Sequence, residues 1–239
     1  MQKKQLQEIH DRLAAIYGEP ELEPDHDPLG GLVETILSQS TSDINSHRAF
    51  RDLRGAFPSW EAARDAPAED VARAIQRGGL ANIKAQRIQA ALRALAGALP
   101  PAEDGEDLDA RFTRWLTSMT VAQAREQLQK LPGVGPKTAA CVLLFSLGLP
   151  SMPVDTHVFR VSQRLGLIAS NTSLNRAHAA FDAVTPAEMI YPLHILLITH
   201  GRRVCRAQNP RCDGCALLAI CPFGQHRVYG DAAAAEAAG

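Results

Sequence analysis

The chain has 239 residues, is 46% hydrophobic and only 5% aromatic, and carries a formal net charge of −1. That is enough apolar material for one large or two small packed domains, and an Ala- and Leu-rich core poor in aromatics suits helices better than sheets. The near-neutral balance excludes nucleic-acid binding by bulk charge, so any DNA contact must come from a local patch.

Apolar residues recur at helical spacing and no period-2 run appears, so the expected fold class is all-α. Met1-Gln-Lys-Lys-Gln5 has no apolar stretch behind it, and no segment is apolar for long enough to span a membrane. A soluble cytoplasmic protein with no membrane partner is therefore expected. Residues 2–17 read as an amphipathic helix with Leu6, Ile9, Leu13 and Ile16 on its apolar face. Pro20, Pro24 and Pro28 then mark an extended connector within an acidic stretch. A helix is expected over 29–38 and another after Asp43. Ser59 and Thr120 are N-cap candidates, and only Thr120, with Gln123 three residues on, completes a capping box. Residues 82–98 predict a strong Ala/Leu helix, and 100–109 a polar, acidic loop. Helices over 122–130 and 136–147 flank Leu131-Pro-Gly-Val-Gly135, and Pro136 suits a first helical position. Further helices are expected over 154–165, 173–184 and 189–201, and residues 229–239, mostly alanine, as a flexible tail.

Three groups of residues carry chemistry. In the Leu131–Gly135 turn the glycines tolerate positive φ and leave the backbone of Gly133, Val134 and Gly135 bare before a helix, where N–H groups attract a phosphate. Such a hairpin grips the DNA backbone without reading sequence, although an ordinary helical corner can also hold two glycines. Lys137 follows in the first turn of the next helix. An ammonium is poorly placed there, whereas a neutral amine would be a nucleophile. Asp155, after Pro153, suits an N-cap, and equally a carboxylate that stabilises positive charge or assists proton transfer. Cys205, Cys212, Cys215 and Cys221 are four closely spaced thiols in a chain read as cytosolic, a strong metal signal. By chemistry alone zinc and an iron–sulfur cluster fit them equally. Arg202, Arg203, Arg206 and Arg211 crowd the same segment. The fifth cysteine, Cys141, lies in an apolar helix and reads as a core residue.

Leu131-Pro-Gly-Val-Gly-Pro-Lys-Thr-Ala139 followed by Val154-Asp-Thr-His157 resembles the active-site signature of the endonuclease III family, and the resemblance runs from about Leu29 to Pro222. It implies a two-lobed helix-hairpin-helix DNA glycosylase fold with a C-terminal iron–sulfur loop. Residues 25–149 would form a six-helix lobe, and 1–24 with 150–228 a cluster lobe. The implied activity is that of a bifunctional glycosylase/AP lyase. It would remove damaged bases, oxidised pyrimidines above all, and cut 3′ to the abasic site by β-elimination. Lys137 would attack C1′ with Asp155 in support, and the four cysteines would hold a [4Fe–4S] cluster. The partner would be double-stranded DNA bearing damaged bases or abasic sites, bound by a monomer at the nucleoid. By position Leu80 matches the family's intercalating wedge, and His157, Arg202 and Arg206 join the hairpin as DNA contacts. One segment departs from pattern. Where the family often has Ser-Ala-Gln-Ala-Thr-Asp, this chain has Ser38-Gln-Ser-Thr-Ser-Asp43, so the usual glutamine register falls on Ser40, with Gln39 one position earlier. Both are candidate gap-filling residues. The competing interpretations are a non-catalytic or monofunctional helix-hairpin-helix protein and a zinc-bound structural protein.

Overall fold

A computed structural model describes residues 1–230. The tail expected over 229–239 therefore lies, from 231 onward, outside the described residues. Every regular element among the described residues is helical. The chain divides into two compact units, one of Met1–Leu22 with the chain from Pro150 onward, the other of Glu23–Leu149. It opens with α1 (Lys3–Tyr17), which buries Leu6, Ile9 and Leu13. Ile16, expected on the same face, is 57% exposed in the last turn, just before the helix stops at Gly18.

The Glu23–Leu149 unit holds eight α-helices, besides one 3₁₀ and one π-helical turn, where the resemblance implies six. They are α2 (Pro28–Ser38), α3 (Asp43–Ala56), α4 (Trp60–Asp65), α5 (Ala68–Ala74), α6 (Ala81–Ala98), α7 (Leu108–Thr117), α8 (Val121–Gln129) and α9 (Pro136–Cys141). The centre is α2, which packs on α3, α6, α7 and α9 and buries Leu29, Leu32, Val33, Ile36 and Leu37. A helix surrounded in this way is apolar nearly all round. Its first turn is fixed by Asp27, whose carboxylate accepts from Gly30 N at 2.8 Å. Ser59 caps α4 in the same manner, and the Thr120–Gln123 capping box opens α8. Two helices escape the sequence pattern. The seven residues of α5 are too few to show a period. The Leu108, Phe112 and Leu116 stripe of α7 starts inside the acidic stretch taken for a loop. The α-turns of α9 end at Cys141 and widen into one π-helical turn, Val142–Ser146, rather than running as one α-helix to residue 147.

In the other unit α10 (Thr156–Arg164), α11 (Leu174–Val184) and α12 (Ala187–Arg203) follow the expected spans closely. The helix α12 packs on both α1 and α10. An additional helix, α13 (Pro222–Tyr229), opens with proline at its first position and is capped by Cys221 Sγ, which accepts from Gly224 N.

Candidate functional site

The hairpin between α8 and α9 turns on one glycine. Gly133 has φ +77°, the left-handed region, whereas Gly135 is extended at φ −93° and ψ 178°, which any residue adopts. A side chain at Gly135 would still meet nothing within 4 Å. Neither turn geometry nor packing demands glycine there, and what its absence of a side chain leaves is exposed backbone. Leu131 and Val134 are buried, and Val134 N donates to Leu131 O at 3.1 Å, closing the turn. Contrary to the bare backbone expected of it, Val134 has neither side chain nor N–H free for a phosphate. Gly133 N and Gly135 N donate to no carbonyl among the described residues. Lys137 is half-buried at the second position of α9.

Two further predicted positions come together in the same unit. Gln39 closes α2 and Ser40 follows with φ +55°; Leu80, at φ +49°, is the N-cap of α6 and is 57% exposed. Thr41 Oγ1 donates to Gly78 O at 2.6 Å, joining the two loops. Lys84 Nζ, buried beneath them, donates to Leu37 O, Thr41 Oγ1 and Gly78 O at 2.5, 2.5 and 2.8 Å. Burial lowers the Lys84 pKa, and the neighbouring Arg87 charge adds to the effect. Arg87 Nη1 donates to Gln39 Oε1 at 2.9 Å, and its side chain passes 3.7 Å from where a Cβ on Gly133 would lie. Arg87 thus spans the Gln39 loop and the hairpin.

In the other unit Asp155 caps α10, its Oδ1 accepting from Val158 N at 2.7 Å. Among the described residues Oδ2 has no hydrogen-bond partner. The buried segment Ser151–Val154 that delivers Asp155 lies against two buried histidines. The Nδ1 atoms of His178 and His194 lie 3.1 and 2.9 Å from Met152 O and Pro153 O. His157 is half-buried over Gly201, where a Cβ would come within 3.0 Å of it. Arg160 binds His157 Nδ1, Gly201 O and Cys205 O at 3.1, 2.9 and 3.0 Å. Arg202 and Arg206 are exposed.

The four clustered cysteines are free thiols that line one pocket with Arg164, His200 and Phe223 and with no carboxylate. Gly224 N and Arg164 Nη1 donate to Cys221 Sγ and Cys205 Sγ at 3.3 and 3.4 Å. Burial raises the thiols of Cys212, Cys215 and Cys221, and their mutual charges push the same way. Burial also holds His200, 3.5 Å from Cys215 Sγ, down to about 4, so its ring is neutral. Among the described residues no three metal-binding side chains converge on one point. An all-sulfur donor set with N–H groups turned toward it suits a thiolate-bound iron–sulfur cluster.

Comparison with known proteins bears on both halves of this geometry. Residues 33–186 match the HhH-GPD superfamily base excision DNA repair protein family. Endonuclease III of Thermotoga maritima is 33% identical over 205 residues, covering 86% of this chain and 87% of that protein. The chain belongs to the endonuclease III family. A solved structure of a trapped endonuclease III–DNA covalent intermediate superposes with a TM-score of 0.76 at 29% identity, over 95% of this chain and 99% of that one. A putative DNA glycosylase of Arabidopsis thaliana is 36% identical over 73% of this chain, which spans 56% of that longer protein.

For this endonuclease III family member, sequence inspection passes over Lys84, Arg87, Arg160 and Arg164. Lys84 had a legible signal: it lies four residues before Ile88 and eight before Leu92, on the buried stripe of α6. A lysine at a core position of an amphipathic helix is rare unless partnered. The arginines carry no such signal, because Arg160 and Arg164 bond mainly to backbone carbonyls distant in sequence and Arg87 to the side chain of Gln39, 48 positions away.

Proposed function

We propose that the chain is a bifunctional DNA glycosylase and AP lyase of base excision repair, acting on damaged pyrimidines in double-stranded DNA. The observation that carries this reading is Lys137, two residues past the exposed Gly135 and within reach of whatever the bare hairpin amides hold. A phosphate seated on those amides places a sugar of the same strand beside the amine. The neutral Nζ attacks C1′ as the base departs with the bonding electrons and gains a proton. Asp155 stabilises the positive sugar with the carboxylate oxygen that the N-cap bond does not use. The added nitrogen gives up a proton, the C1′–O4′ bond breaks with O4′ taking a proton, and the Schiff base that forms between Lys137 and C1′ makes the C2′ proton acidic. Removing that proton expels the 3′ phosphate by β-elimination and breaks the strand. Water cannot support this second step, which ties lyase activity to the amine.

Cys205, Cys212, Cys215 and Cys221 would hold a [4Fe–4S] cluster, whose contribution when bound is to tie the loop after α12 together. Arg206, exposed between the first two ligands, and Arg202 supply the local positive charge that the chain's net −1 lacks.

Lys137→Gln tests the assignment. Borohydride trapping of the enzyme–DNA adduct is expected to disappear while affinity for undamaged duplex is retained. Undiminished trapping would move the nucleophile elsewhere and remove the basis of the reading.

A further inference from the structure

Lys84 is fully buried, 1% exposed, and no carboxylate faces it among the described residues. An ammonium without a counter-charge is expensive to bury, and a methionine or leucine would fill the same stripe of α6 without that cost. Packing therefore does not explain the residue; its three hydrogen bonds do. An ammonium has three donors, and all three are used. Leu37 O lies at the C-terminal end of α2, where carbonyls lack intrahelical partners and the dipole favours a cation. Gly78 O ends the single 3₁₀ turn Gln76–Gly78, and Thr41 Oγ1 bridges to the same oxygen. Lys84 thus caps two chain exits at once.

Each exit leads directly into a strained residue. Ser40 lies three residues after Leu37 and Leu80 two residues after Gly78, and both have positive φ. For residues other than glycine that conformation costs about 1–2 kcal/mol and persists only where the surroundings over-determine it. We propose that Lys84 is a positioning residue, holding the Gln39–Ser40 loop and the Leu80 loop in one fixed register so that both enter the DNA stack together. This inference rests on the glycosylase reading above and names the residue that aligns its base-extruding parts.

The test uses Lys84→Met, which keeps the side chain's length and removes its donors, and Thr41→Val, which removes only the bridge. Two duplexes are compared, one with a single oxidised pyrimidine and one with a preformed abasic site. A 2-aminopurine beside the lesion reports unstacking. Misplacing a wedge by about 1 Å is expected to slow single-turnover base excision by Lys84→Met about 100-fold. Borohydride trapping at the abasic site, which needs no base extruded, should change less than about 3-fold. The 2-aminopurine signal on binding should fall with excision. Thr41→Val should show the same split, smaller in size, and decides the matter if Lys84→Met yields no folded protein. Equal losses on both duplexes, or unchanged excision and fluorescence, would overturn the proposal. A wild-type protein that excises no oxidised pyrimidine would instead overturn the functional reading.

Discussion

At the N-cap of α6, Leu80 combines left-handed backbone with 57% exposure, so neither local propensity nor the core accounts for a leucine there. Leu80 thus covers no core, and an apolar side chain held out toward solvent suits insertion between stacked bases. Leu80→Ala is accordingly expected to slow base excision by about 10-fold or more while leaving strand cleavage at a preformed abasic site nearly intact, because an abasic nucleotide has no base to unstack. Equal losses in a paired single-turnover assay would make Leu80 a structural residue instead. The hairpin shows the same scale from the other side. Both of its glycines stand out in the sequence, but only Gly133 needs positive φ. Which of two glycines the turn requires is a backbone dihedral, invisible in the letters.

Between elements, the meeting of α2 with α7 sets a pH response. Asp109, in the first turn of α7, is half-buried with Oδ1 lacking any hydrogen-bond partner. Burial, reinforced by the Asp27 and Asp107 charges, raises its carboxyl from 3.8 to about 6, against the pull of Arg54 and a backbone bond with Leu29. The folded protein then binds this proton more tightly than the unfolded chain. Its contribution to stability is complete below the ordinary value of 3.8 and is lost as pH rises to about 6. Asp109→Asn should therefore stabilise the protein at pH 7 by about 1 kcal/mol, a value reduced for solvent screening at a half-exposed group. The melting temperature should rise by about 2–4 °C, and the difference from wild type should vanish near about pH 4. Melting curves that stay parallel across this range would show that Asp109 is not the group responsible. Nearby, Glu106 is held down to about 2 by its hydrogen bonds with Arg114. That part-buried pair ties the acidic loop ahead of α7 to the helix itself.

For the whole molecule, a cluster held by the four cysteines would decide whether the chain beyond α12 is a folded part or a loose end. Among the described residues there, only one 3₁₀ turn, Leu218–Ile220, and α13 are regular, and few residues are buried, among them Leu217 and Gly224. A cluster would close it covalently through four thiolates. The purified protein is expected to be yellow-brown with a broad visible absorption band. Cys221→Ser should lower the yield of soluble protein more than it lowers the specific activity of what remains soluble. Colourless, fully active protein containing one equivalent of zinc would assign the thiols to a different metal.

Much of this architecture was present in the order of residues. Helical spacing of apolar positions determined the all-α class, because a 3.6-residue period buries one stripe whatever packs on it. The capping signals at Ser59 and Thr120 determined two helix starts, since a cap bonds within its own first turn. The run from Leu131 to Ala139 with Val154–His157 carried the family. All of these are local relations, written in neighbouring residues. Tertiary structure alone decided that Lys84 would be buried under two loops, that Arg87 would link Gln39 to the Gly133 hairpin, and that Arg160 would tie His157 to Cys205. Apart from Lys84 with Gly78 and Arg160 with His157, those contacts join residues 43 or more positions apart, through carbonyls or side-chain atoms that any sequence could present. A hydrogen bond to a backbone oxygen leaves no trace in the identity of the residue that supplies it, so only the fold reveals which parts of the site hold one another in place.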